Sequence, residues 1–336
     1  MTGHLDVLYI RAGGQGWGPV DELAALTARL LRGELRILED RGEVPTIRKL
    51  AASLPRRRSP HRSLLVIAPS PAHLAYTARV RHWLPGHDVS VAWVIDSFWT
   101  DRISRIARRG VHFDHLFITD QDLVQEWRAT TGTPVSPAPW GTDTLRLTGD
   151  PIDRTVDLVR IGRQPPAWDD DDRTRALAES RGLVVEGRPP FHPDPARNQD
   201  EVRSALRRSK FVLAFSNLVS PAPYTHPTRE YLTGRWTDAL GAGATVAGLA
   251  PASASATLWP GATVDLDPHD LEHGLDQLRD AVRAWTPDTA RAQSAQARAR
   301  LDWRWRIRDI AAVLGRTDLD TLHEEIEMLT ATGGPS

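Results

Sequence analysis

Glu230 and Asp238 stand eight residues apart with Arg235 between them, in Thr228-Arg-Glu-Tyr-Leu-Thr-Gly-Arg-Trp-Thr-Asp-Ala-Leu-Gly-Ala-Gly243. The stretch reads as one helix that ends in glycine and runs into the short apolar strand Thr245–Gly248. At about 100° per residue the two acids lie within roughly 80° of each other, two turns apart. Two carboxylates on one helix suit a hydroxyl-rich ligand, because each accepts hydrogen bonds from neighbouring hydroxyls. Ordinary exposed acids on an amphipathic helix are the plainer alternative.

Other residues have chemistry to offer. Asp96 closes an apolar strand, where a carboxylate serves as general base or as the cap of a helix or turn. His226 sits in the proline-rich Pro223-Tyr-Thr-His-Pro227, just before the acidic stretch; His73 and His192 are alternatives. The loop Gly13-Gly14-Gln-Gly16-Trp17-Gly18 comes after the first strand. Its small residues let backbone amides approach a phosphate or an acceptor, unless it is simply a flexible loop. It lacks Gly-Lys-Ser/Thr, and its spacing departs from the dinucleotide fingerprint. The run Asp169–Asp172 opens a helix, where acids already favour the positive end of the dipole, so no metal is expected. Trp17, Trp93 and Trp140 are candidates to stack on an acceptor ring, with core packing the simpler reading of Trp93.

These residues sit in an alternating pattern. Strand-length apolar runs fall at Leu5–Ile10, Leu64–Ala68, Val89–Ile95, Leu116–Ile118, Asp157–Ile161, Leu183–Glu186, Phe211–Phe215 and Thr245–Gly248. Helical periodicity falls at Val20–Leu38, Ala72–Leu84, Trp99–Arg109, Arg173–Arg181, Gln199–Ser209 and, as one long closing helix, Thr289–Leu314. Strands alternating with helices imply βαβ units and largely parallel sheets. In such sheets ligands bind beyond the carboxyl ends of the strands.

The chain has 336 residues, which favours two domains. Net charge is −1, which argues against a binder dominated by nucleic-acid phosphates. Forty of the 42 basic residues are arginine, a bias that fits a GC-rich, bacterial genome. Arg56–Arg58, between prolines, reads as a solvated loop. The absence of cysteine excludes disulfides, zinc–thiolate sites and cysteine nucleophiles. No signal peptide and no apolar run of membrane-spanning length is present, so a cytoplasmic protein is expected.

Arg235-Trp-Thr-Asp-Ala-Leu-Gly-Ala-Gly243 resembles the Arg-x-Phe-Glu-Ala-Leu-Ala-x-Gly segment of GT-B glycosyltransferases, in particular the short spore-maturation-like branch. Glu230 and Asp238 reproduce the spacing of that superfamily's paired glutamates, with Asp in the second place. Further segments occur in the family's order. They are Val94-Ile-Asp96-Ser, Pro134–Asp143, Asp157-Leu-Val-Arg-Ile-Gly162-Arg163, Arg207-Arg-Ser-Lys-Phe-Val-Leu-Ala-Phe-Ser216 and Leu301-Asp-Trp-Arg-Trp-Arg306. The match spans roughly residues 90–315.

The resemblance implies an α/β fold of two facing Rossmann-like domains: residues 1–145 on the acceptor side, 146–315 binding a nucleotide sugar, and a tail at 316–336. It implies metal-independent sugar transfer, without a resident cofactor, from a nucleoside-diphosphate sugar, UDP favoured, to a small molecule such as a natural product of secondary metabolism. Donor contacts fall to Gly162, Arg163, Ser216, Glu230, Arg235 and Asp238. Glu230 is assigned to sugar hydroxyls, Asp238 to the ribose, and Arg163 and Arg235 to the diphosphate. Asp96 and His226 are the catalytic candidates, and Gly13, Gly14, Gly16 and Trp17 the acceptor or phosphate loop. The usual second basic residue after Arg163 is replaced by Gln164-Pro-Pro. A non-catalytic nucleotide-sugar-binding scaffold, or an epimerase or hydrolase of the same fold, is the alternative, and a homodimer is left open.

Overall fold

The computed structural model describes residues 3–13, 15–39, 45–47, 60–79, 86–110, 112–147, 154–192 and 194–331; Gly14 and Arg56–Arg58 lie outside them. The chain divides into two units, Met1–Pro139 with Arg304–Ile326, and Trp140–Trp303 with Glu327–Ser336.

The first unit is built on β1 (His4–Arg11), β2 (Glu34–Glu39), β3 (Arg62–Ala68), β4 (Val89–Val94), β5 (His115–Ile118) and β6 (Val135–Pro137). They form a parallel sheet in the order β2-β1-β3-β4-β5-β6. Consecutive residues of β1 and β3 are buried, as expected of strands covered on both faces. Helices α1 (Gly18–Leu30) and α2 (Val124–Thr131) belong to this unit.

The apolar period over Val20–Leu38 is not one helix. Arg32 takes a left-handed φ of 51°, and at Gly33 a Cβ would lie 2.6 Å from Val7 Cγ2. The chain therefore turns tightly under β1 and returns as β2, paired from Asp6↔Glu34 to Arg11↔Glu39. Two further expected helices are tighter 3-10 turns, and the expected end of the first, residues 80–84, lies outside the described residues. One covers Pro71–Arg79, opening on a proline; the other splits into Thr100–Arg102 and Arg105–Gly110 where Ile103 is extended.

Asp6, at the amino end of β1, is the electrostatic anchor of this sheet. Its buried carboxylate accepts from Arg62 at 2.8 Å and lies 3.2 Å from the His4 and His87 Nε2 atoms and 3.3 Å from Arg36. His4, Asp6 and Glu34 cluster as a cation site would, but Arg36 and Arg62 already compensate their charge. Burial pushes the Asp6 carboxyl up, yet the hydrogen bonds from His87 and Arg62 outweigh it and hold it well below the usual carboxylate range. Its stabilisation is therefore complete above the unfolded value of about 3.9 and fades as pH falls below it. Asp6→Asn is expected to cost about 3 kcal/mol at pH 7 by denaturant titration, and the gap to wild type should narrow in acid.

The second unit is built on β7 (Val156–Arg160), β8 (Val185–Glu186), β9 (Ser209–Phe215), β10 (Thr245–Leu249) and β11 (Thr263–Asp265). Its parallel sheet has the order β11-β10-β9-β7-β8. Around it lie α3 (Thr144–Leu147), α4 (Asp171–Glu179), α5 (Pro195–Arg208), α6 (Gly234–Gly241), α7 (Leu271–Ala284) and α8 (Pro287–Leu301). In both sheets the strand order reverses once, between β1 and β3 and between β7 and β9. Ligands of open α/β sheets bind at such switch points.

The expected closing helix breaks at Asp302 into α8 and α9 (Trp303–Val313). Asp302 is fully buried, and its carboxylate accepts from the Thr144 amide at 3.0 Å and the Thr144 hydroxyl at 2.5 Å. Thr142 bridges the same residue as a one-residue parallel pair. The tail forms α10 (Asp320–Ala331), from which Glu325 pairs with Arg29 and Arg304 at 2.6 Å each. Among the described residues, no helix is long and apolar enough to cross a membrane.

Candidate active site

The switch point of the second sheet gathers most of the residues singled out above. After β7 the chain turns through Gly162, whose φ of +81° favours glycine and whose missing Cβ would sit 3.1 Å from the Arg235 Cδ. Arg163 is next. Its Nε donates to the Ser220 carbonyl at 2.6 Å, and its guanidinium stands 5.5 Å from the Tyr224 ring.

Arg235 reaches the same place from the first turn of α6. It donates to the carbonyls of Arg163 (3.3 Å) and Phe215 (3.1 Å), so it spans the ends of β7 and β9, and it lies 4.8 Å from the Trp236 ring. Burial, and then the like charge of Arg163, lower its pKa to about 10. Among the described residues neither arginine has a carboxylate within 4.0 Å. By contrast Arg160, on the strand itself, is neutralised by Asp169 at 2.6 Å and Asp171 at 2.7 Å. Asp170 caps α4 by accepting from the Arg173 amide and Asp172 pairs with Arg175 at 2.8 Å, so all four acids of that run have structural partners.

The start of α6 adds to the positive field. Its N-cap residue, Thr233, makes no capping hydrogen bond, so the positive end of the helix dipole is not offset by that side chain. A half-desolvated pair of like charges beside an uncapped helix start is a site for an anion with several oxygens.

Glu230 is not on that helix, which corrects the sequence reading. The helix begins at Gly234, and Glu230 lies in the irregular segment before it. Its carboxylate accepts from Ser216 Oγ at 2.5 Å and from the Ala252 amide at 3.0 Å, bridging the ends of β9 and β10. Asp238 is on α6, where its Oδ1 accepts from Thr142 Oγ1 at 2.6 Å. The two acids are thus fixed by different partners, and the 80° helical argument does not apply to them.

His226 is held through Nδ1, which accepts from the Thr228 and Arg229 amides at 3.2 and 3.0 Å. An accepting Nδ1 places the ring proton on Nε2, so that nitrogen is a donor. Residues the sequence reading passed over complete the site: Tyr224, 71% exposed beside Arg163, and Asn217, buried directly after Ser216. An aromatic in a proline-rich loop before the acidic stretch was the available signal for Tyr224. Asn217 had none.

In the first unit, Gly13, Gly16 and Trp17 come after β1 at its switch point; a Cβ on either glycine would meet open space. Asp96 lies beyond the carboxyl end of β4, its amide bonded to the Pro69 carbonyl at 2.8 Å. The side chain is half-buried, accepts no hydrogen bond among the described residues, and burial raises its pKa to about 7. Ser70 lies beside it after β3, bonded to His73 Nδ1 at 2.8 Å. Trp93 is fully buried in the sheet, while in the second unit Trp140 packs against Trp303 at 5.7 Å.

A family model described as glycosyl transferase-like matches residues 146–313. The chain is similar in structure to Anabaena HepE. Against its complex with UDP and glucose the TM-score is 0.58 at 12% identity, covering 93% of this chain and 100% of that one. Against the UDP complex the values are 0.57 and 11%, covering 92% and 99%. Against the UDP-glucose complex they are 0.53 and 12%, covering 93% and 100%. No curated protein matches the chain in sequence. The likeness shows the fold, two parallel-sheet α/β units of GT-B type.

Proposed function

We propose that this chain, which belongs to the glycosyl transferase-like family, moves a sugar from a nucleoside diphosphate, UDP favoured, to a small-molecule acceptor. The observation that carries the reading is the pair Arg163 and Arg235, side by side at the β7/β9 switch point without an acidic partner among the described residues. As the glycosidic bond breaks, negative charge grows on the leaving diphosphate, and guanidinium groups held in place beforehand stabilise it without reorganising. The uncapped start of α6 acts in the same sense. With these charges in place the reaction needs no metal. UDP and UDP-glucose are bound by HepE, which supports uridine as the base.

Glu230 takes donor-sugar hydroxyls and Asp238 the ribose. Asp is a methylene shorter than Glu, so that contact is direct only where the ligand approaches α6 closely, or runs through water. His226, with its proton on Nε2, donates to the donor rather than accepting a proton. The acceptor hydroxyl loses its proton to Asp96, whose raised pKa suits a base near neutrality. Gly13, Gly14, Gly16 and Trp17 form the acceptor or phosphate loop.

Thermal unfolding with UDP, GDP, dTDP and ADP tests the reading. UDP at 100 times its dissociation constant is expected to add about 2.7 kcal/mol, and Asp238→Ala to weaken that shift at fixed concentration. No shift with any of the four on folded protein would overturn it.

A further inference from the structure

Ser216 and Asn217, consecutive residues at the end of β9, clamp one short segment from two sides. Ser216 Oγ donates to Glu230. The Asn217 Nδ2 donates to the carbonyls of His226 at 3.0 Å and Arg229 at 2.7 Å. Asn217 is 2% exposed, and its Oδ1 has no partner among the described residues. The amide orientation is fixed, because flipping it would set oxygen against two carbonyl oxygens.

A buried polar atom without a partner costs about 1–3 kcal/mol, so the residue is a poor choice for stability alone. Its two bonds hold His226 to Glu230 outside any helix or strand. In that shape Glu230 meets Ser216 and the Ala252 amide, and the His226 ring turns back onto its own chain. An Asp here could not donate, and an aliphatic residue would remove both of these bonds.

We infer that Asn217 is a positioning residue for the sugar end of the donor, acting through Glu230 and leaving the diphosphate to Arg163 and Arg235. This rests on the donor-site reading above. It separates two halves of one ligand by the parts of the chain that hold them: the β7 turn and α6 for the diphosphate, the Asn217-clamped segment for the sugar.

The test measures binding of UDP and of the UDP-hexose that wild type binds most tightly, in wild type, Asn217→Ala, Asn217→Ser, Glu230→Ala and the Asn217→Ala/Glu230→Ala double variant. In both Asn217 variants the UDP-hexose dissociation constant is expected to rise about tenfold, the worth of one or two ordinary hydrogen bonds. That of UDP should stay within about twofold, which also reports that the protein is folded. In the Glu230→Ala background, Asn217→Ala should add little, since residues acting through one another are not additive. Equal weakening of UDP and UDP-hexose, or fully additive effects in the double variant, would overturn the inference. A wild type that binds none of UDP, GDP, dTDP and ADP would instead sink the donor-site reading, and this inference with it.

Discussion

Replacing Arg235 by methionine is expected to lower kcat/KM for sugar transfer by about 10²–10³-fold, the usual cost of removing one donor aimed at developing charge. Methionine keeps much of the side chain's bulk against Trp236 while removing the charge that meets Arg163. The loss should therefore appear in turnover and nucleotide binding, while the ligand-free protein stays folded. Arg235→Lys is not expected to restore wild-type rates, because an ammonium cannot reach the two carbonyls of Arg163 and Phe215 in a fork and present a further donor as well. Steady-state kinetics with matched circular dichroism decide it. A methionine variant within about threefold of wild type in kcat/KM would remove Arg235 from the chemistry, since even a modest transition-state contact is worth more than that.

The second large effect belongs to Asp96. Asp96→Asn is expected to lower kcat about 10²–10⁴-fold, the range for loss of a positioned base, and to abolish an ascending limb in the kcat/KM profile near pH 7. The same change carries an opposite sign for stability. Burial raises the carboxyl from 3.8 to about 7, so the fold prefers the neutral form. Its favourable contribution is complete below 3.8 and is lost as pH rises to about 7. At pH 8 the half-buried carboxylate is a cost, and the asparagine variant should melt higher than wild type; at pH 4 that advantage should vanish. A variant less active and more stable at pH 8 is the expectation for a residue kept for catalysis. An unchanged pH profile would assign Asp96 to structure.

How much of this was legible depends on the range of the forces involved. The alternation that gives two parallel sheets is local periodicity, and it read correctly from residues such as Leu64–Ala68 and Phe211–Phe215. Arg163 was legible as a candidate from the Gly162 turn after a strand, and Arg235 from its place between the two acids, though their mutual approach was not. The failures lie where a distant partner decides. Thr228–Leu232 has ordinary helical composition, yet the amide of Asn217 and the ring of His226 take up the backbone groups a helix would use. Leu35 and Leu38 continue the period of Leu23–Leu31, and only the Arg32–Gly33 turn interrupts it. Asp302 sits within a continuous helical pattern, and the break there is set by Thr144, 158 residues away.

That last contact bears on how the protein is made. The second unit is fastened through Thr142, Thr144 and Asp302, its beginning to its end. The first unit takes in Arg304–Ile326, the stretch directly after it in the chain. Neither is complete on a ribosome until residues beyond 300 have emerged, so strictly N-terminal-first, domain-by-domain folding during synthesis does not apply to the first unit. Chains halted near residue 300 would lack both the Asp302 tie of the second unit and the Arg304–Ile326 stretch of the first.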